Sequence, residues 1–295
     1  MGRSRGQILL VAAFAMAIIF VALALILNTA IYTENLATRE TVGGHEVLDF
    51  QESVIEVGAV LLRRTNAEES TYQTLRSTYR ERIRNYSDAE LAHALTRGTI
   101  RNVTLLETHN GTLLNQSTVS NFENEGGNST WQLVHGVTDA RAVRFEVTDV
   151  DSNATLRINA TNGSETWGLL VNESNGSFGV SVQTPTNGSS SRMYSTESLE
   201  IRPTEGSIEN RTWADLEFQN AFPDEFDLWI KNGSNATGTY RLIVDEAVNQ
   251  IDGSDYADRQ LRPVIYNATL QIALLQDKLE YRANVTIEPD GTNAR

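Results

Sequence analysis

The chain of 295 residues contains no cysteine, which excludes disulfides, thiolate metal sites and a cysteine nucleophile. Small secreted domains often use disulfides to make up for a small core, so their absence fits a larger core or a lineage that does not rely on them. Lysine is almost missing: Lys231 and Lys278 stand against 22 arginines. Histidine occurs only at His45, His93, His109 and His135, never at metal-ligand spacing. The chain has no HExxH motif, no GxSxG elbow, no GxxxxGK loop and no GxGxxG fingerprint. The expectation is a non-enzymatic protein with no catalytic residue, no cofactor and no metal centre.

The charge is lopsided. The formal net charge is −14. Residues 1–100 hold 10 basic and 11 acidic side chains, and residues 101–295 hold 14 and 27. The distal part should repel nucleic acid, which carries the same sign, so no nucleic-acid partner is expected. An acidic surface with Arg in place of Lys reads as adaptation to high salt, with genomic base composition as the bland alternative. Apolar residues make up 40%, and four Trp, nine Tyr and nine Phe suffice for a packed core.

Against these shortages stands one long apolar run. Ile8 to Leu27 is ILLVAAFAMAIIFVALALIL, without a polar group. A helix of that length spans roughly 30 Å, the thickness of a bilayer's hydrocarbon core. Arg3 and Arg5 precede it, and Glu34 is the first charge after it. The positive-inside rule then places the N-terminus in the cytoplasm and the bulk outside, giving a single-pass cell-membrane protein. A cleaved secretory signal has a shorter apolar core, of about 7–15 residues.

Arg3, Arg5, Gly6 and Gln7 directly precede that run. This junction resembles the leader of archaeal type IV pilin-like proteins, haloarchaeal ones among them. In that family a prepilin peptidase cuts a short basic leader after Gly or Ala, and the mature chain often begins with Gln. The resemblance implies cleavage between Gly6 and Gln7, with other pilin-like subunits as partners. Major pilins carry Glu at the fifth mature position; here it is Val11. That departure points to a minor, filament-tip type of component. An uncleaved signal anchor has the same appearance and remains the alternative.

The expected organisation is a basic leader over 1–6, a transmembrane helix and extension over 7–40, an amphipathic helical stalk over 41–98 and a β-rich extracellular domain over 99–295. In the stalk, Val47, Phe50, Val54, Val57 and Leu61 recur at 3-4 spacing, and Tyr72, Leu75, Tyr79, Ile83 and Tyr86 resume it. The stripe could join a partner helix, but packing on the domain behind it is the preferred reading. Arg76, Arg80, Arg82 and Arg84 read as a solvated face.

From residue 100 the period changes to two. Val143, Phe145 and Val147 alternate with Arg144, Glu146 and Thr148. Leu169 and Val171 lead through an Asn-Gly turn to Phe178, Val180 and Val182, and Val264–Ile272 returns as Leu279–Ile287, so both pairs read as hairpins. Segment 183–198 reads as a loop or lobe boundary. The fold class expected is therefore α+β: an N-terminal transmembrane helix and helical stalk, then an antiparallel β-sandwich-like domain.

The motif Asn-x-Ser/Thr occurs at Asn85, Asn102, Asn110, Asn115, Asn128, Asn153, Asn159, Asn162, Asn172, Asn175, Asn187, Asn210, Asn232, Asn235, Asn267 and Asn284. That is 16 of 24 asparagines, where 51 Ser and Thr in 295 residues give about four by chance. Five are Asn-Gly-Ser/Thr, so turn chemistry covers part of the excess only. These are candidate N-glycosylation sites of an exported glycoprotein. Asp149, Asp151 and Asn153 imitate the start of a calcium loop, but the later Glu position falls on Ala160. Asp252, Asp255 and Asp258 could bind a divalent cation weakly. Taken together, the sequence reads as a minor pilin-like surface protein with a role in filament assembly or adhesion. The alternative is a permanently anchored, glycosylated ectodomain that binds an envelope partner or ligand.

Overall fold

The computed structural model describes residue 20 and residues 45–289, apart from 69, 70, 187, 223, 258, 259 and 278. Two helices open the continuous part: α1 over 45–68 and α2 over Tyr72–Leu95. Thr71, in extended backbone, caps α2 by accepting the N–H of Thr74 on its hydroxyl. Phe50, Val54 and Leu62 of α1 and Leu75, Tyr79 and Ile83 of α2 are at most 1% exposed. The amphipathic stripe runs 50, 54, 58, 62, with Gly58 at its middle. A methyl group on Gly58 would sit 3.2 Å from the Ile287 side chain, so α1 lies close on the sheet there.

Fourteen strands follow among the described residues: β1 (Ile100–Asn121), β2 (Trp131–Val137), β3 (Ala140–Val150), β4 (Leu156–Thr161), β5 (Thr166–Ser174), β6 (Ser177–Thr184), β7 (Gly188–Tyr194), β8 (Leu199–Arg202), β9 (Ser207–Ile208), β10 (Arg211–Thr212), β11 (Phe226–Lys231), β12 (Ala236–Val244), β13 (Leu261–Gln276) and β14 (Leu279–Ile287). They form an eight-stranded sheet, β10-β9-β8-β3-β12-β1-β13-β14, and a six-stranded sheet, β2-β11-β4-β5-β6-β7. Every pairing is antiparallel.

Two apolar layers cover one face of the larger sheet. Over its β8-β3-β12 part, Phe145, Val147, Leu242 and Ile201 meet Ile158, Leu169, Val180 and Leu228 of the smaller sheet. Over its β13-β14 end, Leu270, Ile272, Leu274 and Ile287 meet the helices. Strand β1, 22 residues long, belongs to both regions. Its Val103 faces the helices and its Leu114 faces the second sheet. Arg101 is clamped where α1, α2 and β1 meet, 3.0 Å from Glu46 and 3.2 Å from Glu90, with its guanidinium over the Phe50 ring. Pairing the half-buried guanidinium with carboxylates avoids the cost of an uncompensated charge.

The expected architecture needs correction. Among the described residues the fold is mostly antiparallel β-sheet, with half of them in strands. Residues 45–95 are not a stalk but a helical hairpin laid on the sheet, because their apolar stripe is consumed by β1, β13 and β14. Among the described residues no helix is long and apolar enough to cross a membrane. The leader and all of the apolar run Ile8–Leu27 but residue 20 lie outside the described residues, so the expected transmembrane helix forms no part of the fold described. The sandwich-like β body fits in part. Segment 183–198, expected as a loop or lobe boundary, instead holds β7, paired with β6 from Thr184↔Gly188 to Phe178↔Tyr194. Its run of Ser and Thr concealed it: an edge strand needs few apolar side chains.

Glu68, at the end of α1, takes a hydrogen bond from Arg64 Nε at 3.0 Å and another from Arg82 of α2. The Arg82 bond first, then the Arg64 bond, hold its carboxyl below the ordinary range. A folded value below the unfolded one stabilises above the unfolded value, and that contribution is lost as pH falls through the folded value. Arg82→Met is expected to move the Glu68 titration, followed by NMR, up towards that of an ordinary surface Glu. An unmoved titration would show that Arg82 does not hold it.

Candidate functional site

An arginine-rich concavity lies on the other face of the larger sheet, and a local irregularity builds it. Along a regular strand, residues i and i+2 share a face. On β12, Arg241 and Ile243 do so, opposite Arg144 and Arg141 of β3. Those two are three residues apart, because Ala142 is bulged out with φ 51. Such a bulge re-aims a side chain. It brings Arg141 to the face of Arg144, with its guanidinium carbon 3.9 Å from the Tyr266 ring centroid. Asn115 of β1 stands opposite Arg241 on the other side. A row Arg144–Arg241–Asn115 therefore crosses three strands.

This row floors an open cleft of about 840 Å³, within the usual range for small-ligand sites, roughly 300–1,000 Å³. Arg63 and Arg202 also line it, making five arginines in one place. Asp139, Glu146, Glu205 and Glu288 line it too. Arg144 reaches Glu146 at 3.3 Å and also Glu200, and Arg202 holds Glu200 at 2.9 Å. Gln219 donates to Asp139 at 2.6 Å. Among the described residues neither Arg63 nor Arg241 takes part in an ion pair, and both are exposed. Like charges opposite each other in neighbouring strands, as Arg144 and Arg241 are, repel. Tyr240, inside the sandwich beneath this face, has its hydroxyl pushed well above the ordinary tyrosine range by burial.

Among the described residues no His/Asp/Glu cluster of metal-binding geometry accompanies the cleft. His135 Nδ1 lies 2.7 Å from Asp227 and 3.0 Å from Gln132 Nε2, on an exposed surface. Among the described residues no three His, Asp or Glu are placed to hold a metal. Asp252 spends its carboxylate on Ser254, and Asp255 accepts from Asn124 at 2.6 Å. Asp258 lies outside the described residues.

A protein-family profile matches residues 2–159; its description is a family of unknown function, DUF7261. The chain belongs to DUF7261. In this DUF7261 member the matched stretch takes in both helices, β1 to β3 and most of β4. Arg63, Arg141 and Arg144 lie inside it, and Arg202 and Arg241 beyond it. No curated protein and no solved structure matches the chain.

The candidate acceptor asparagines scatter over this DUF7261 member instead of converging. Gly6, Gln7 and Asn187 lie outside the described residues. Of the other acceptors, Asn85, Asn102, Asn110, Asn128, Asn153, Asn162, Asn172, Asn175, Asn210, Asn232 and Asn284 are exposed, and Asn115, Asn159, Asn235 and Asn267 half-buried. The asparagines that are buried, Asn66 and Asn124, belong to no sequon. Asn153, Asn175, Asn210 and Asn232 adopt the left-handed conformation, and Asn162 Oδ1 closes a turn on Ser164 and Glu165. Turn chemistry accounts for those five. It does not account for Asn102, Asn110, Asn115, Asn159, Asn172, Asn267 and Asn284, which lie within strands, where Asn is disfavoured. The arginine cleft was missed at the sequence level. Its members come from positions 63, 141, 144, 202 and 241, and only the Ala142 bulge gives the arginines of β3 a common face.

Proposed function

We propose that this protein is a non-enzymatic cell-surface glycoprotein, anchored through Ile8–Leu27, with its β body displayed outside as a minor pilin-like component. The observation that carries the surface reading is the placement of acceptor asparagines within strands. Seven lie where a strand would favour almost any other residue, and none of the seven is buried. A requirement for the modification motif itself supplies a reason for them there. The packing of the helical stripe supports a further point. With Phe50, Val54, Leu62, Leu75, Tyr79 and Ile83 used inside the molecule, α1 and α2 have no apolar stripe left for a partner helix. Assembly with other subunits then rests on surfaces other than this stripe.

The test is the N-terminal sequence of the protein purified from its native membranes, with glycopeptide mass spectrometry on the same sample. A chain beginning at Gln7, with glycans on strand positions such as Asn172 and Asn284, is the expected result. A chain beginning at Met1 or Gly2 removes the pilin-like part. Unmodified asparagines throughout remove the glycoprotein part. The arginine cleft favours a second reading, a permanently anchored ectodomain that binds a ligand outside the membrane.

A further inference from the structure

We infer that the arginine cleft binds an acidic saccharide, a short sugar chain carrying a carboxylate or sulfate. The inference rests on the ligand-binding reading of the ectodomain and is independent of leader processing. Its first support is electrostatic. In a chain of net charge −14, five arginines converge on one concavity. Arg144 and Arg241 are directly opposed across neighbouring strands, and Arg241 is exposed without an ion pair among the described residues. Arg144 is already held by Glu146 and Glu200, so the open donor of the pair is Arg241, whose planar fork suits a carboxylate or sulfate.

The second support is what surrounds those arginines. Asp139, Glu146, Glu205 and Glu288 line the same cleft. These carboxylates repel a densely charged polyanion such as nucleic acid or polyphosphate, and so does the whole molecule at long range. They welcome hydroxyl donors, as do Asn115 and Thr239 at the floor. A ligand with sparse negative charge and many hydroxyls satisfies both sets of groups. An acidic saccharide has that chemistry; a free anion uses the arginines alone.

Asn115 and Ser117 of one sequon line the cleft, so a glycan on Asn115 would fill it from the chain's own side. The test therefore uses the full chain in detergent, made in a host without N-glycosylation. Trisaccharides bearing a uronate, a sulfate or neither, and inorganic sulfate, are titrated by calorimetry at fixed ionic strength. Binding of an acidic trisaccharide is expected to exceed that of the neutral one by about tenfold or more. Arg241→Glu is expected to abolish the difference, and Arg241→Gln to weaken it. Arg97→Glu makes the same charge change on an exposed arginine outside the cleft, and is expected to leave binding unchanged. Circular dichroism checks that each variant folds. Equal binding of neutral and acidic probes, equal loss in Arg97→Glu, sulfate binding alone, or no binding would each overturn the inference. None of these outcomes bears on the N-terminal sequence or the glycopeptides.

Discussion

Asn66→Ala is expected to lower the unfolding free energy by about 2–4 kcal/mol and to make the chain self-associate. Strand β14 stops pairing with β13 at Ala268↔Ile287. Beyond that point, on the side away from β1, the backbone of Ile265 would present an open sheet edge. Asn66, only 9% exposed, closes it. Its Nδ2 donates to the Ile265 carbonyl at 2.9 Å, and its Oδ1 accepts the Ile265 N–H at 2.9 Å. One side-chain amide thus takes the place of a strand. Arg262 holds Asn66 in turn, donating from Nη2 to its carbonyl at 2.8 Å. Alanine would leave two buried backbone groups without partners, each costing about 1–3 kcal/mol. Asn66→Asp keeps the acceptor but sets a buried carboxylate oxygen against the Ile265 carbonyl, so it should cost at least as much as alanine. Denaturant unfolding measures the loss, and size-exclusion chromatography measures the association. A change under about 0.5 kcal/mol, the size usual for surface substitutions, would mean that water replaces the amide without cost.

That contact marks a limit of what the sequence discloses. The alternation of Val143, Phe145 and Val147 was legible because one face of β3 is dry and the other wet. The β5–β6 hairpin was legible because Asn175-Gly176 adopts the left-handed conformation that such turns require, at φ 53 and 71. The stripe from Phe50 to Ile83 was also legible, and so was its preferred use, packing on the domain behind it. What the stripe could not tell is shape. The period of a helix says that one face is covered and nothing about what covers it, so the same stripe fits a stalk and a hairpin on a sheet alike. Asn66 looks like any surface asparagine, since its partner is backbone 199 residues away. The arginine cleft needed two things absent from the pattern: the strand order β3-β12-β1, and the one-residue bulge at Ala142. A bulge shifts side chains to the other face without altering composition, so alternation read along the chain misassigns every residue past it.

Gly238→Ala is expected to destabilise by about 3 kcal/mol or more, against the sign that chain entropy alone would give. Replacing glycine by alanine at an unstrained site stabilises by about 0.4–1 kcal/mol, because it restricts the unfolded chain. At Gly238 sterics oppose this. A Cβ there would lie 2.0 Å from the Glu146 carbonyl oxygen and 2.7 Å from the Phe122 ring, the first being backbone that cannot swing aside. The crowding arises because both neighbours of β12 slip register at this point: Gly238 pairs with Val147 where Thr237 pairs with Asp149, and with Ser120 where Tyr240 pairs with Gln116. Gln116, 4% exposed, binds the slip together by donating from Nε2 to the Gly238 carbonyl at 3.0 Å. Pushing β3 away to admit a methyl group would open the sandwich core at Phe145 and Val147, both at most 1% exposed. Gly253→Ala is the internal control. Nothing lies within 4 Å of the Cβ it would add, so only the entropic effect remains and a small gain is expected. Equilibrium unfolding of the two variants should therefore move in opposite directions. If Gly238→Ala matched wild type, the register slip would have to be soft enough to absorb a side chain, and β3 and β12 would be free to slide at the floor of the arginine cleft.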